Sequence, residues 1–250
     1  MSSRVLVAPK PEGAKACDAR TRVLIARVAL GSEKFDGVAA SYDTLYEQSL
    51  AASGESKEYF ARYKLACLSR LGVARDEPVL DWGCGVGNVL GPLATEYREV
   101  HGYDPSSESL KLAGERIPKA TLHARPGDVP DGRFGAAILS GVLHHVAVDE
   151  HRALVETVRE KLRPGGRIVV FEHNPLNPVT RRAVRACEFD DDAVLLWPWQ
   201  ARRLLRSAGL RDVRLDFIVF FPRPLAPLRP LEPHLAWLPF GAQVMVVGTR

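Results

Sequence analysis

The sequence predicts an α/β protein: a doubly wound, mainly parallel seven-stranded sheet with a helical N-terminal cap. Three observations predict it. From Pro78 onward, short apolar runs alternate with segments of helical periodicity, the rhythm of strands joined by crossover helices. Glycine-rich breaks fall where such units turn, above all Asp81-Trp-Gly-Cys-Gly-Val-Gly87 and Pro164-Gly165-Gly166. The chain of 250 residues, 46% hydrophobic and 26% charged, has the make-up of one generous globular domain with a decorated end.

In chain order, residues 1–30 read as a flexible tail, with Pro9, Pro11 and Gly13 against regular structure. Its arginines and scarcity of acids leave a targeting segment as the alternative. Residues 31–75 form the cap: Leu45, Leu50, Phe60, Tyr63, Leu65 and Leu68 recur at helical spacing, and Ser53-Gly54-Glu55 interrupts them, so two helices joined by a turn are expected. The core, residues 76–250, opens with a strand at Val79–Asp81, followed by a helix at Asn88–Tyr97, a strand at Val100–Tyr103 and a helix at Ser106–Arg116. Short strands at Thr121–Leu122 and Ala136–Leu139 come next, then a helix from Asp149 to Leu162 and a strand at Arg167–Phe171. A helix at Trp199–Ala208, closed by Gly209, precedes two final strands, Val213–Phe221 and Ala242–Gly248. Between them lies an apolar, proline-rich insert over residues 217–240.

A formal charge of +4 with dispersed arginines does not call for a nucleic-acid partner. Four cysteines without a CxxC pair argue against a zinc site and a disulfide framework and favour the cytoplasm. No run approaches the roughly 18–20 apolar residues of a spanning helix, which leaves interfacial membrane contact through the insert as the only membrane role. Oligomeric state is not legible.

The chemistry concentrates at the first turn. Gly83, Gly85 and Gly87 in alternate positions after a strand let the backbone turn sharply and approach a ligand closely. A dinucleotide fingerprint fails because Asn88 occupies its third glycine position, and a phosphate loop fails because no Gly-Lys-Ser/Thr follows. An NAD(P)-binding oxidoreductase therefore stands only as the rival from another class. Asp104, at the end of the next strand, is placed to accept both hydroxyls of a ribose, so turn and acid together indicate a nucleoside-bearing ligand.

With these segments in view, the chain resembles the class I S-adenosylmethionine (SAM) dependent methyltransferases of the ubiquinone/menaquinone type, which have a Rossmann-like fold. "VLDWGCGVGN" looks like their glycine motif and "HGYDPSSESLKLA" like their ribose strand and helix; "FGAAILSGVLHHV" and "LRPGGRIVVFEHN" continue the likeness, which runs from Phe35 to Asn174. The resemblance implies that Asp81, Gly83, Gly85 and Gly87, with neighbouring Cys84 and Asn88, surround the methionine part of SAM, that Asp104 holds the ribose, and that Ser140 at the fourth strand end joins the cofactor contacts. "FDGVAASYD" is similar to the family's closing helix and makes Tyr42 a contact, or else a packing residue. The pattern breaks where Gly135 replaces a usual aspartate. Asp128 is then either an adenine ligand or a turn residue beside Gly127 and Pro130.

Methyl transfer to a hydroxyl requires alignment and proton removal, which a histidine suits. His144 is the first candidate base and His145 the second, against a reading in which the pair only packs; Glu172 and His173 leave the fifth strand at the same edge as further candidates. Asp190-Asp191-Asp192 reads as a solvated loop, and no metal is assigned. His173-Asn-Pro-Leu-Asn177 superficially resembles the Asn-Pro-Pro-Tyr motif of DNA amino-methylating enzymes, but it follows the wrong strand. Trp197, Trp199 and the insert form either a greasy substrate wall or surface packing. The expected activity is O-methylation of a small or lipid-like acceptor in a biosynthetic pathway. Carbon or nitrogen methylation, a SAM-binding protein without catalysis, and RNA or protein methylation are the alternatives.

Overall fold

The structure, a computed structural model, describes Asp36, Gly37, Asp43, Glu47, Leu50, residues 53–187, Asp190 and residues 193–250. The tail at 1–30 and the contact expected of Tyr42 lie outside the described residues. Seven strands form one sheet: β1 (Val79–Trp82), β2 (Val100–Tyr103), β3 (Thr121–His123), β4 (Phe134–Ser140), β5 (Leu162–His173), β6 (Arg211–Ile218) and β7 (Gln243–Thr249), in the order β3-β2-β1-β4-β5-β7-β6. The first five run parallel and β7 is antiparallel to both neighbours. The order reverses between β1 and β4, so the crevice at their carboxyl ends is where a ligand is expected in such a sheet.

Seven helices flank it among the described residues: α1 (Lys57–Arg70), α2 (Leu90–Glu96), α3 (Ser107–Arg116), α4 (His151–Lys161), α5 (Pro178–Arg185), α6 (Pro198–Ser207) and the single turn α7 (Glu232–Leu235). Each face of the sheet has its own core. Leu154, Val155 and Val158 of α4 and Ala201 and Leu205 of α6 cover one face; Phe60, Cys67 and Leu68 of α1 and Leu90 and Leu93 of α2 cover the other. Burial on both sides accounts for the apolar run of β4 and leaves Asp81 as the one charged residue of fully buried β1. Helix α1 begins where Ser56 accepts a hydrogen bond from the Tyr59 N–H at 3.4 Å.

Helix α5 was not expected, although its start was legible. Asn177 caps it by accepting from the Val179 and Thr180 N–H groups at 2.9 and 3.1 Å, and Pro178 takes the first helical position, where no N–H is needed. Strand β6 is shorter than expected and ends at Ile218, because Val219 turns to φ +60° and leaves the sheet. Beyond it the insert coils into a 3₁₀ segment, Arg223–Leu231, and α7. Buried Glu232 pins that insert to α1: it accepts the Tyr63 hydroxyl at 2.7 Å and the Phe220 and Phe221 N–H groups at 3.0 and 3.1 Å. Gly135 has an equally local reason, since the Glu77 side chain fills the space where a Cβ would stand.

Candidate active site

Strand β1 delivers the chain into the glycine turn. The backbone at Gly83 (φ +78°) lies so close to Val142 that a Cβ there would meet its Cγ2 at 2.7 Å. Gly85 (φ +50°) is the reverse case: a Cβ on it would meet nothing within 4 Å, so bare backbone faces open space. That space is a cavity of about 380 Å³, in the range of small-molecule sites. It is lined from the glycine turn after β1 by Asp81, Gly83, Cys84, Gly85 and Asn88, and from the segments after β4 and β5 by Ser140, His144, His145, Glu172 and His173, with Asp190.

At the glycine turn, Asp81 is almost wholly buried and neither carboxylate oxygen has a hydrogen-bond partner among the described residues. Burial pushes it up to about 7, although the Lys64 ammonium draws it the other way. Lys64 lies beneath the cavity on α1, 6% exposed, and burial lowers it to about 8 against the pull of Asp81 and Glu172. It escaped the sequence reading, yet a signal exists: Lys64 occupies the buried stripe Phe60, Ala61, Lys64, Cys67, Leu68, where a solvent-seeking lysine is out of place. Burial also raises the Cys84 thiol well above its ordinary value.

The structure seats Asp104 behind the turn, not on the cavity wall. Its oxygens accept the Gly85 N–H at 2.8 Å and the Ser106 N–H at 2.9 Å, which ties the loop to α3; burial nonetheless lifts it to about 6. Asn88 reaches Asp43 at 3.3 Å, and Asp43 also holds Lys57 and Arg116 at 2.9 Å each, joining turn, cap and α3. Gly87 supports the turn from outside the cavity, against Ile117. Asp128 is exposed in a 3₁₀ turn, Pro126–Asp128, and does not line the cavity.

The cluster after β4 and β5 is organised by Glu172. Its Oε1 accepts the Val142 and Leu143 N–H groups at 3.1 and 2.8 Å, and its Oε2 lies 2.5 Å from His144 Nδ1. These bonds engage both oxygens of the carboxylate. His144 is 3% exposed, and its Nε2 faces Asp190 Oδ1 at 3.6 Å. Burial opposes its charge, but Glu172 and Asp190 outweigh burial and raise His144 to about 10. An imidazole that holds its proton at neutral pH presents a donor to the cavity, with the Glu172 carboxylate as its partner. His173, with its ring 5.3 Å from that of His144, is held neutral: burial, reinforced by the His144 charge, lowers it to about 4.

Asp190 also departs from expectation, being 8% exposed and enclosed by His144 and His145 (3.4 Å to His145 Nε2), not solvated. The apolar wall is supplied by Phe60, Phe171, Val179, Val184, Val219 and Phe220. Trp197 and Trp199 stack on each other at 5.1 Å, exposed and away from the cavity, and Trp237 and Phe240 are 75% and 69% exposed. Of the insert, Val219, Phe220 and Pro222 serve as wall. The Asn174 side chain is buried and donates to the Pro239 and Gly241 carbonyls at 3.1 and 2.7 Å, so the Asn-Pro string is a loop clamp.

A switch-point cavity with a bare glycine turn, an unpartnered buried carboxylate and no phosphate-binding loop defines a nucleoside-cofactor enzyme of the Rossmann-like type. Comparison with known proteins makes this specific. Residues 55–223, more than half of the chain, match the methyltransferase-domain family. Over 124 residues the chain is 33% identical to dTDP-3-amino-3,4,6-trideoxy-alpha-D-glucopyranose N,N-dimethyltransferase of Streptomyces venezuelae, covering 47% of this chain and 52% of that protein. An O-methyltransferase of Penicillium expansum is 32% identical over 159 residues, covering 58% and 55%. The chain thus spans about half the length of these curated relatives. A SAM-dependent methyltransferase of Archaeoglobus fulgidus shares the fold with a TM-score of 0.62 at 17% identity, over 82% of this chain and 99% of the other. The chain belongs to the class I SAM-dependent methyltransferase family, and SAM is its cofactor. No helix among the described residues is long and apolar enough to cross a membrane.

Proposed function

We propose that this chain transfers a methyl group to a hydroxyl oxygen of a small organic acceptor. The observation that carries the reading is one cavity lined both by a bare glycine turn with the buried Asp81 and by a histidine–carboxylate cluster. When bound, SAM supplies an electrophilic methyl carried on a sulfonium. The residues of the chain do the rest. Asp81 takes the cationic methionine end, which satisfies its empty lone pairs, while the Gly85 backbone admits close approach and Asp104 stiffens the loop from behind. His144, protonated and clamped by Glu172, orients the acceptor through a donated hydrogen bond, and neutral His173 is the free imidazole available to receive the hydroxyl proton. Apolar side chains keep water from the reacting centre.

The test is incubation with SAM and a panel of phenols, hydroxy acids, sugars and their amino counterparts, followed by mass spectrometry for the methylated product. Turnover confined to hydroxyl acceptors supports the reading; turnover confined to amines refutes it. The likeness to an amino-sugar N,N-dimethyltransferase favours nitrogen as the second reading.

A further inference from the structure

The histidine–carboxylate cluster has more donor atoms than an organic acceptor requires. His144, His173 and Asp190 each offer one ligand atom, and these atoms all lie within 4.8 Å of one another. Asp190 is more than nine-tenths buried, and its Oδ1 has no hydrogen-bond partner among the described residues although it lies in the cavity wall. His144 presents its Nε2 inward because Glu172 holds the Nδ1 side at 2.5 Å from behind. A carboxylate behind a histidine is the arrangement that fixes the ring and tautomer of a metal ligand. The Val194 N–H donates to the His144 carbonyl at 2.9 Å, tying the segment after Asp190 to the same turn.

We propose that His144, His173 and Asp190 bind one divalent transition-metal ion in the cavity. Two imidazoles and one carboxylate suit zinc, iron or manganese better than the all-oxygen cations, and three protein ligands leave open positions toward the cavity. With bonds of about 2.1 Å, ligand atoms sit roughly 3–3.4 Å apart. The 3.6 Å gap between His144 and Asp190 is already close to that, and a rotation of Asp190 toward His173 closes the rest. Without an ion, a proton on His144 serves the same charge balance between Glu172 and Asp190.

The role of the ion rests on the methyltransferase reading; its binding does not. With the ion bound, His144 and His173 serve as its ligands and no longer as donor and proton acceptor; a hydroxyl on an open position then loses its proton to solvent more readily, because a bound cation stabilises the oxyanion. The new C–O bond then forms as the S–C bond of SAM breaks, and S-adenosylhomocysteine leaves. A second acceptor oxygen beside the first would fill the next position, so the acceptor class is a hydroxyl with an adjacent oxygen: a vicinal diol, a catechol or a hydroxy acid.

The test uses the whole chain, stripped with EDTA, desalted, and titrated with Zn²⁺, Mn²⁺ and Co²⁺. Elemental analysis after desalting should find about one ion per chain, with a rise in Tm, and Co²⁺ should give a visible spectrum altered by acceptor. Asp190→Asn and, separately, His173→Gln should weaken binding by at least 100-fold, and Glu172→Gln by about 10- to 100-fold. Each variant is checked for folding by circular dichroism and by S-adenosylhomocysteine affinity, which should not change. His123→Ala, at the stacked His101–His123 pair, should retain the ion. No retained ion in the wild type, binding indifferent to Asp190→Asn and His173→Gln, or loss on His123→Ala would overturn the proposal. An ion bound without any affinity for S-adenosylhomocysteine would leave the metal site standing and refute the methyltransferase reading. The converse would refute the metal site alone.

Discussion

Cofactor affinity should depend steeply on pH through Asp81. In the free protein its carboxyl is raised to about 7, first by burial and also by the Asp104 charge, with Lys64 and the Leu90 backbone opposing, so at pH 6 most molecules carry a neutral acid there. A cationic cofactor beside it favours the ionised form, and binding must then expel the proton. The apparent Kd scales with the fraction protonated: about 11-fold weaker at pH 6 than the plateau and about 1.1-fold at pH 8, a tenfold difference or about 1.4 kcal/mol. Near pH 7 roughly half a proton should leave per cofactor bound. Calorimetry with S-adenosylhomocysteine or SAM at pH 6, 7 and 8, repeated in buffers of different ionisation enthalpy, measures both quantities. Asp81→Asn should flatten the profile at the weaker affinity. A Kd constant from pH 6 to 8 with no proton release would refute the assignment of Asp81 to the cationic end. Stability without ligand runs the other way. The folded pKa exceeds the unfolded one, so the native state holds the extra proton between about pH 4 and 7, and stability should fall as pH rises through that window.

The remaining predictions follow from single contacts. Lys64→Met removes the cation that draws Asp81 downward, so the midpoint of the binding profile should move up by about one pH unit or more, read in the same titration. Gly83→Ala forces a Cβ into Val142 at a positive φ; a loss of about 1–3 kcal/mol, seen as a Tm drop of several degrees by calorimetry, is expected together with weaker cofactor binding. Glu232→Ala leaves the Tyr63 hydroxyl and two backbone N–H groups without their acceptor, and should cost about 2–4 kcal/mol in urea unfolding while speeding proteolysis within residues 219–240. A Glu232→Ala protein as stable as the wild type would remove that carboxylate from its role as anchor.

The sequence by itself determined the sheet and the glycine turn after its first strand. Alternating apolar runs and helical stripes are local periodicities, and a glycine turn between Asp81 and Asn88 declares itself because its backbone demands are met by adjacent residues. Helix α5 was equally local, its cap and first position written as Asn177-Pro178, and was passed over. The histidine–carboxylate cluster was decided only by tertiary structure. Glu172, 28 residues away, and Asp190 converge on His144 and favour its charge, and a charge on an imidazole depends on neighbours that no spacing displays. Asp190 reads as surface in a run of three acids, yet it is buried, with its Oδ1 facing His144 and His145. Lys64 becomes part of the site only when α1 lies across the carboxyl end of β1. Backbone geometry is specified by neighbours in the chain, whereas burial and charge are specified by neighbours in space.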